Sequence, residues 1–288
     1  MNPTRRGAAP ATGVEILRAL RESIAARARR AAESRRRIVG VTRTTYVLRL
    51  SPAETVLHLH YVLVQTDAFG CCYYDASTDE PGIDEHVIGR DAFDVSEAVT
   101  PIGVAALDAI YGAFVVPASR KYILTGTNIE KAEKRATIVV REVRSLLKRR
   151  RLKDPGKPRV LNVGIVGSIL GQLADCGDIE LRGSDFYRGV AGTRVHGAEV
   201  VFGSETPKLV GWADVAVVTG MTLANDTLAG ILAAARESGT GLIIFAQTGA
   251  HFAEAYLKLG VDVVVSEPFP FYLVNGGPST VGVYRKGG

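Results

Sequence analysis

Apolar and polar positions follow two different patterns along the chain, and the second half has the simpler one. Short runs rich in valine, isoleucine and leucine predict buried strands at residues 160–166, 179–184, 200–202, 215–218, 242–246 and 261–265. Apolar residues at helical spacing predict helices between them, at about 168–175, 206–212, 223–238 and 251–259. Strands separated by helices form parallel βαβ units. Residues 158–288 are therefore predicted to form a Rossmann-like domain with a mostly parallel sheet.

The first half mixes amphipathic helices with strands that are rich in β-branched and aromatic residues. Helices are predicted at 13–37, from Thr100 to residue 112 and from Thr127 or Asn128 to about residue 150, and strands at 44–50, 55–65 and 69–74. Two prolines and a glycine within residues 154–158 end the last of these helices. The chain is thus predicted to be an α/β protein with an arginine-rich extension (1–37), a smaller α+β domain (38–153) and the Rossmann-like domain (158–288).

Segment 215–228 has the pattern of a buried strand, a tight polar loop and a helix. Gly220 permits a sharp turn that a Cβ atom would obstruct. The polar side chains that follow belong to types that cap helices: Thr222, Asn225 and Asp226. Ligands of open α/β sheets bind at the carboxyl ends of the strands. The segment is therefore either a ligand-binding loop or the cap of an ordinary helix.

Other strand ends of the second half offer similar chemistry. The loop after the first strand contains glycines typical of dinucleotide or S-adenosylmethionine sites, although their spacing is not GxGxxG. Asp185 closes the second strand, where an acid can bind ribose hydroxyls or simply form a turn. Thr248 is predicted to cap a helix that begins at His251. The candidate cofactor-binding residues are Gly164, Gly167, Ser168, Asp185, Thr219, Gly220, Thr222, Asn225, Thr248 and Glu267.

Histidines and cysteines provide weaker signals for a metal or a catalytic base. Alternation places His58 and His60 on one face of a strand, where they could bind a metal or be ordinary polar residues of a half-exposed strand. We expect the adjacent cysteines at 71 and 72 to pack with one thiol inward and one outward. His196 or His251 could act as a general base, or each could be a surface or capping residue. The sequence assigns no catalytic residue.

Composition and charge narrow the class of protein. The chain has 288 residues, of which 47% are hydrophobic and 23% charged, so a substantial core can form. Three cysteines without CxxC spacing and no apolar run of membrane-spanning length predict a cytoplasmic protein without a membrane partner. Net charge is +5, with the basic excess concentrated in helix-like stretches of residues 1–157. Solvated helix faces explain that excess, and no nucleic-acid partner is expected. A sheet edge strand could pair with a second copy, so we expect a homo-oligomer.

Two segments resemble a known family. Ala213 to Leu228 resembles the "TGSTLVNGT"-like signature of the putative heavy-metal chelation family, and Thr100 to Tyr111 resembles its "slGlAalNAl"-like helix. The resemblance implies an N-terminal half similar to the enolase N-terminal domain, a Rossmann-like C-terminal half and a site in the cleft between them. The chain departs from the family at Met221, usually Ser, and at Asp226, usually Gly. These departures imply a difference in the ligand.

Two hypotheses about function follow. In the first, the chain is a binding protein of this family that holds a polar small molecule or a divalent metal in the cleft. In the second, it is an enzyme that uses S-adenosylmethionine or a nucleotide on the Rossmann-like half and acts on a polar small metabolite. The sequence does not identify the ligand, the metal or a reaction.

Overall fold

The structure is a computed structural model that describes residues 12–49, 56–74, 84–272, 274 and 276–287. Residues 1–11 of the predicted arginine-rich extension lie outside the described residues, as do residues 75–83. Residues 50 and 55, at the ends of two predicted strands, also lie outside them.

Helices occupy most of the predicted positions. They are α1 (Gly13–Arg30), α2 (Ala92–Val95), α3 (Pro101–Gly112), α4 (Asn128–Arg149), α5 (Gly167–Ala174), α6 (Thr206–Trp212), α7 (Met221–Ala224), α8 (Leu228–Ser238) and α9 (Ala253–Lys258). The start of α3 is as predicted, because Thr100 accepts a hydrogen bond from the Gly103 N–H and Pro101 takes the first helical position. Thr127 begins α4 with a reciprocal capping box to Glu130.

Strands form a small and a large sheet in the described residues. They are β1 (Gly40–Arg49), β2 (Val56–Gln65), β3 (Phe69–Tyr74), β4 (Arg120–Leu124), β5 (Arg159–Val163), β6 (Glu180–Asp185), β7 (Arg194–Val195), β8 (Ala198–Phe202), β9 (Val215–Thr219), β10 (Gly241–Ala246), β11 (Val263–Ser266) and β12 (Ser279–Arg285). The small sheet is antiparallel with order β1-β2-β3. The large sheet has order β4-β12-β11-β10-β9-β5-β6-β8-β7.

The central part of the large sheet confirms the predicted Rossmann-like class. Strands β8, β6, β5, β9, β10 and β11 are parallel neighbours in that order. Numbered along the chain, they have the 3-2-1-4-5-6 order of doubly wound folds, in which the strand order reverses between β5 and β9. Every residue of β9 and β10 is buried, because helices cover both faces of this part of the sheet.

The two faces of the large sheet pack against different helices. Apolar residues of α4 and α5 cover one face. The opposite face packs against α6, α8 and α9, and that core continues without interruption into α1, α3 and one face of the small sheet. The other face of the small sheet packs on Phe271, with Phe269 and Met221 beside it. The small sheet is therefore covered on both faces.

The large sheet also takes elements from before the predicted boundary at residues 154–158. β4 pairs with β12 in an antiparallel edge, and α4 packs on β5, β9 and β10. β12, which no predicted element covered, lies between β4 and β11.

Three predicted helices differ from the observed ones. α1 ends at Arg30 rather than at residue 37, because the backbone is extended at Ala31 and only a short 3-10 turn follows. The predicted helix 223–238 is interrupted at residues 225–227, since Asp226 adopts a φ of 59°, which a right-handed helix does not accept. The predicted helix 251–259 is a 3-10 turn over residues 250–252 followed by α9. Among the described residues, no helix combines the length and apolar character that a membrane span requires.

Candidate functional site

A cavity of about 1270 Å³ opens at the carboxyl edge of the large sheet. The segments that follow β5, β6, β8, β9 and β10 contribute lining residues. The first turns of α4 and parts of β2 and β3 contribute others. The cavity thus lies between the two sheets and at the switch point between β5 and β9, where open α/β folds bind their ligands.

Nine of the ten candidate residues line this cavity. They are Gly164, Gly167, Ser168, Asp185, Thr219, Gly220, Thr222, Asn225 and Thr248. Glu267 is the exception, because it is fully buried behind the cavity wall. Most of the candidates at the strand ends therefore lie together, as predicted, while their role in binding stays a prediction.

The loops after β5 and β9 touch at the switch point. Gly164 has a φ of 71°, and a Cβ atom there would run into the side chain of Thr219. The Thr219 hydroxyl is buried and has no hydrogen-bond partner among the described residues. A buried polar atom without a partner is costly, so this hydroxyl is an unsatisfied group at the switch point.

The start of α5 faces the same cavity. Val166 precedes the helix and offers no side-chain cap. The first backbone N–H groups of a helix have no intrahelical acceptor, and they carry a partial positive charge. Gly167 and Ser168, the first two residues of α5, both line the cavity. A Cβ atom at Gly167 would meet nothing within 4 Å, so the cavity is open next to this residue.

Asp185 holds the loop after β5 in place. One carboxylate oxygen accepts the Ile165 N–H at 2.7 Å, and the other accepts the Tyr187 N–H at 2.8 Å. Burial raises the pKa of the Asp185 carboxyl above its ordinary value, although the backbone hydrogen bonds oppose that rise. Each oxygen already accepts a backbone hydrogen bond. The carboxylate therefore has a structural role, and ribose recognition by it stays a prediction.

The polar residues after β9 do not cap α8 as predicted. Thr222 donates its hydroxyl hydrogen to the Thr219 carbonyl at 2.8 Å, and Asn225 accepts a hydrogen bond from the Thr227 hydroxyl. Asp226 instead accepts the N–H of Gly13 at 2.7 Å, at the start of α1. Asp226 does not line the cavity, whereas Met221 does. The departure at Asp226 therefore serves the docking of α1, and the interpretation of it as a ligand-binding difference is wrong.

Thr248 does not cap the following helix either. Its hydroxyl accepts the Tyr73 N–H of the small sheet at 2.9 Å. Gly249, in a left-handed conformation, precedes the 3-10 turn that begins at Ala250. A Cβ atom at Gly220 would run into the carbonyl of Thr248, so the loops after β9 and β10 pack closely.

Arg135 is the main cavity residue that the sequence analysis missed. It lies on α4, lines the cavity, and its side chain is only 3% exposed. Its guanidinium carbon lies 4.3 Å from the ring centre of Tyr272 and 5.0 Å from that of Phe245. The sequence predicts α4 as an amphipathic helix and gives no local signal that sets Arg135 apart from the other basic residues of that helix.

Glu267 balances the charge of Arg135 from behind the wall. Its carboxylate lies 3.6 Å from an Arg135 nitrogen and accepts hydrogen bonds from Gln247 and Ser279, each at 2.9 Å. Because two side-chain donors and an arginine surround it, the fully buried carboxylate is well compensated. Glu267 therefore supports the cavity wall through Arg135 and does not itself line the cavity.

The structure places His58 and His60 on one face of β2, as the alternation predicted, but it buries both neighbouring cysteines. His58 and His60 both line the cavity, with ring centres 6.4 Å apart, and His60 also meets the Thr45 hydroxyl at 2.9 Å. His196 lines the cavity as well, whereas His251 does not. Both neighbouring thiols at 71 and 72 are buried, because each face of the small sheet is covered, so the expectation of one outward thiol is wrong.

A resident metal centre does not fit the described residues. Within them, no three His, Cys, Asp or Glu side chains lie close enough together to hold a metal ion. Structural zinc sites need four such ligands and catalytic ones need three.

Comparison with known families is consistent with the predicted resemblance. Residues 191–266, which span β7 to β11, match the DUF364 family, described as "Putative heavy-metal chelation". The predicted resemblance to this family is confirmed over these residues. No curated protein matches the chain in sequence.

Two solved structures of DUF364 proteins of unknown function share the fold. The protein from Pyrococcus horikoshii is 12% identical, with a TM-score of 0.56 over 94% of this chain and 99% of its own. The protein from Desulfitobacterium hafniense DCB-2 is also 12% identical, with a TM-score of 0.57 over 93% of this chain and 98% of its own. At this identity the likeness concerns the fold alone.

Proposed function

We propose that this protein binds a polar small molecule in the cavity between the small sheet and the carboxyl edge of the large sheet. The observation that carries the proposal is the convergence of five strand-end segments on one cavity at the switch point of a doubly wound sheet. At about 1270 Å³ the cavity exceeds the roughly 300–1,000 Å³ of drug-sized sites. It therefore has room for a ligand of nucleotide size.

A substitution that obstructs the cavity beside the start of α5 tests this proposal. Gly167→Leu adds a side chain that projects into open space at the cavity. Gly211→Leu, in α6, also adds a side chain into open space, but Gly211 does not line the cavity. Both changes replace a helical glycine, so neither should destabilise the fold. Native mass spectrometry against a panel of polar metabolites, including nucleosides and S-adenosylmethionine, should show binding by the wild type and by Gly211→Leu only. Equal binding by Gly167→Leu would disprove the cavity as the site.

A nucleotide- or S-adenosylmethionine-dependent enzyme is the second candidate. The observation that favours it is an exposed aromatic pair beside Asp185: Phe186 and Phe202 are 44% and 42% exposed, with ring centres 5.5 Å apart. Phe186 also lines the cavity. Aromatic rings suit stacking against a nucleobase. If this candidate is right, Phe186→Ala should weaken adenosine binding more than binding of a non-aromatic metabolite. Equal weakening of both would count against it.

A heavy-metal role rests on the family description and on two histidines at the cavity. Since the described residues do not form a metal centre of their own, we assign no step to a metal. Elemental analysis of the purified protein, compared with a variant in which His58 and His60 are both Ala, tests the role directly. Stoichiometric metal that the double variant loses would support it, and metal that both retain would exclude these histidines as ligands. The cytoplasmic location and the homo-oligomer stay predictions.

A further inference from the structure

The planar guanidinium group of Arg135 has one edge left for a partner. The ring centres of Tyr272 and Phe245 lie 4.3 and 5.0 Å from its carbon atom, so both rings pack against the group. Nη1 is directed to Glu267 at 3.6 Å. Nε has no hydrogen-bond partner among the described residues, and Nη2 reaches only the Ser168 hydroxyl at 3.4 Å. In arginine, Nε–H and one Nη2–H point in the same direction along one edge.

That edge and the start of α5 face each other. Ser168 is the second residue of α5, and no side chain caps this helix. The backbone N–H groups of its first turn and the Ser168 hydroxyl are therefore further donors beside the free arginine edge. Two parallel N–H groups of an arginine match the two oxygens of a carboxylate or a phosphate.

We propose that the Arg135 edge, the Ser168 hydroxyl and the first turn of α5 form an oxyanion subsite that binds a carboxylate or phosphate group of the ligand. The inference rests on the proposed function, since it assumes that a ligand enters the cavity. The proposed subsite offers more than the N-terminus of an ordinary helix. An arginine whose side chain is 3% exposed and whose Nε has no partner among the described residues lies beside it.

The other charges of the cavity limit how negative the ligand can be. Carboxylates of Glu133, Asp175 and Asp185 line the cavity, and Arg188 is its second arginine. Arg135 is already balanced by Glu267. A polyphosphate would be repelled by these carboxylates. The subsite therefore fits a molecule with one oxyanion on an otherwise neutral or cationic body.

The test measures binding of small probes to the full-length protein by calorimetry. Acetate and inorganic phosphate are titrated separately, which distinguishes a carboxylate from a phosphate, and acetamide serves as the uncharged match for acetate. We expect one of the two anions to bind and acetamide not to bind. Loss of a two-pronged, charge-assisted contact in Arg135→Lys should weaken anion binding about ten-fold or more. Ser168→Ala should weaken it by less, since it removes one neutral donor.

Arg144→Lys is the matched control, because Arg144 lies on the same helix but pairs with Asp178 at the surface. It should bind the anion like the wild type. Should Arg135→Lys fail to fold, Ser168→Ala and the acetate–acetamide comparison still decide. The subsite is overturned if acetamide binds as tightly as acetate. It is also overturned if Arg135→Lys and Ser168→Ala both bind the anion with wild-type affinity.

The Gly167→Leu variant separates the two proposals. If it abolishes binding of a metabolite that Arg135→Lys still binds with full affinity, the oxyanion subsite is wrong and the cavity stands. If metabolites bind equally to Gly167→Leu, the proposed function fails, and the subsite fails with it.

Discussion

Asp226 offers a quantitative test of how the N-terminal helix is held. Its carboxylate accepts the N–H of Gly13, the first residue of α1, at 2.7 Å, and its own backbone has a φ of 59°. The hydrogen bond at the helix start stabilises the fold by about 1 kcal/mol, up to about 2. The left-handed backbone costs a residue with a Cβ atom roughly 1–2 kcal/mol, less for Asp or Asn than for Ala. The two effects oppose each other.

Three substitutions separate these effects. Asp226→Asn keeps an acceptor and tolerates the backbone, so it should lose only the charge at the helix start, about 0.5 kcal/mol. Asp226→Gly loses the hydrogen bond but relieves the backbone, so its net change should be within about 1 kcal/mol. Asp226→Ala loses the hydrogen bond and keeps the strained backbone, so it should lose about 2 kcal/mol or more.

Urea unfolding at constant m value measures this series as shifts of the midpoint. Gly13 supplies an independent check, because a Cβ atom there would run into the Asp226 carboxylate. Gly13→Ala should therefore destabilise the wild type but have little effect in an Asp226→Gly background, a coupling that a double-mutant cycle detects. Equal losses for Asp226→Ala and Asp226→Asn, or additive effects in the cycle, would refute the reasoning.

Three further substitutions test two buried charged groups and one backbone conformation. Burial lowers the pKa of His251, but the charge of Asp108, whose carboxylate lies 3.3 Å from Nδ1 and accepts the His251 backbone N–H, raises it by more, so the net pKa is raised. The unfolding free energy should therefore fall as the pH rises from about 6.5 through that raised pKa, and His251→Gln should remove this slope. An unchanged slope would contradict it. Glu267→Ala leaves Arg135 buried without its counter-charge and should cost about 3–5 kcal/mol in urea unfolding, so a loss below 1 kcal/mol would argue against a buried pair. Gly164→Ala should lower the melting temperature, since it combines a left-handed backbone with a side-chain collision, and an unchanged value would count against that conformation.

The features that could be predicted from the sequence depend on contacts between neighbours in the chain. Apolar runs marked the central strands, because a strand buried on both faces must be apolar throughout. The capping residues Thr100 and Thr127 marked two helix starts, since a cap acts within one turn. Strand ends of a parallel sheet share one edge, so the candidate residues could be brought together without knowledge of the packing.

The features that could not be predicted depend on contacts between distant segments. β12 pairs with β4, more than 150 residues earlier, and neither strand is buried along its whole length. Arg135 enters the cavity because α4 packs on a sheet that lies mostly after it in the chain. Asp226 and Thr248 were expected to cap the helices that follow them. Instead, Asp226 accepts the backbone N–H of Gly13 and Thr248 accepts that of Tyr73. Local propensity does not reveal contacts with such distant residues.

These distant hydrogen bonds also bear on how the cavity works. Hydrogen bonds tie the loop after β10 to the N-terminal half: the Tyr73 N–H to the Thr248 hydroxyl at 2.9 Å, the His251 N–H to the Asp108 carboxylate at 2.9 Å and the Gly249 N–H to the Cys71 carbonyl at 3.2 Å. The loop after β9 is tied by Asp226 to α1. Loops at this edge of an open sheet are otherwise free to move when a ligand binds. Here hydrogen bonds to the N-terminal half hold them in place. If a ligand binds there as proposed, it meets a cavity whose walls are already largely formed, and little binding energy would be lost in ordering them.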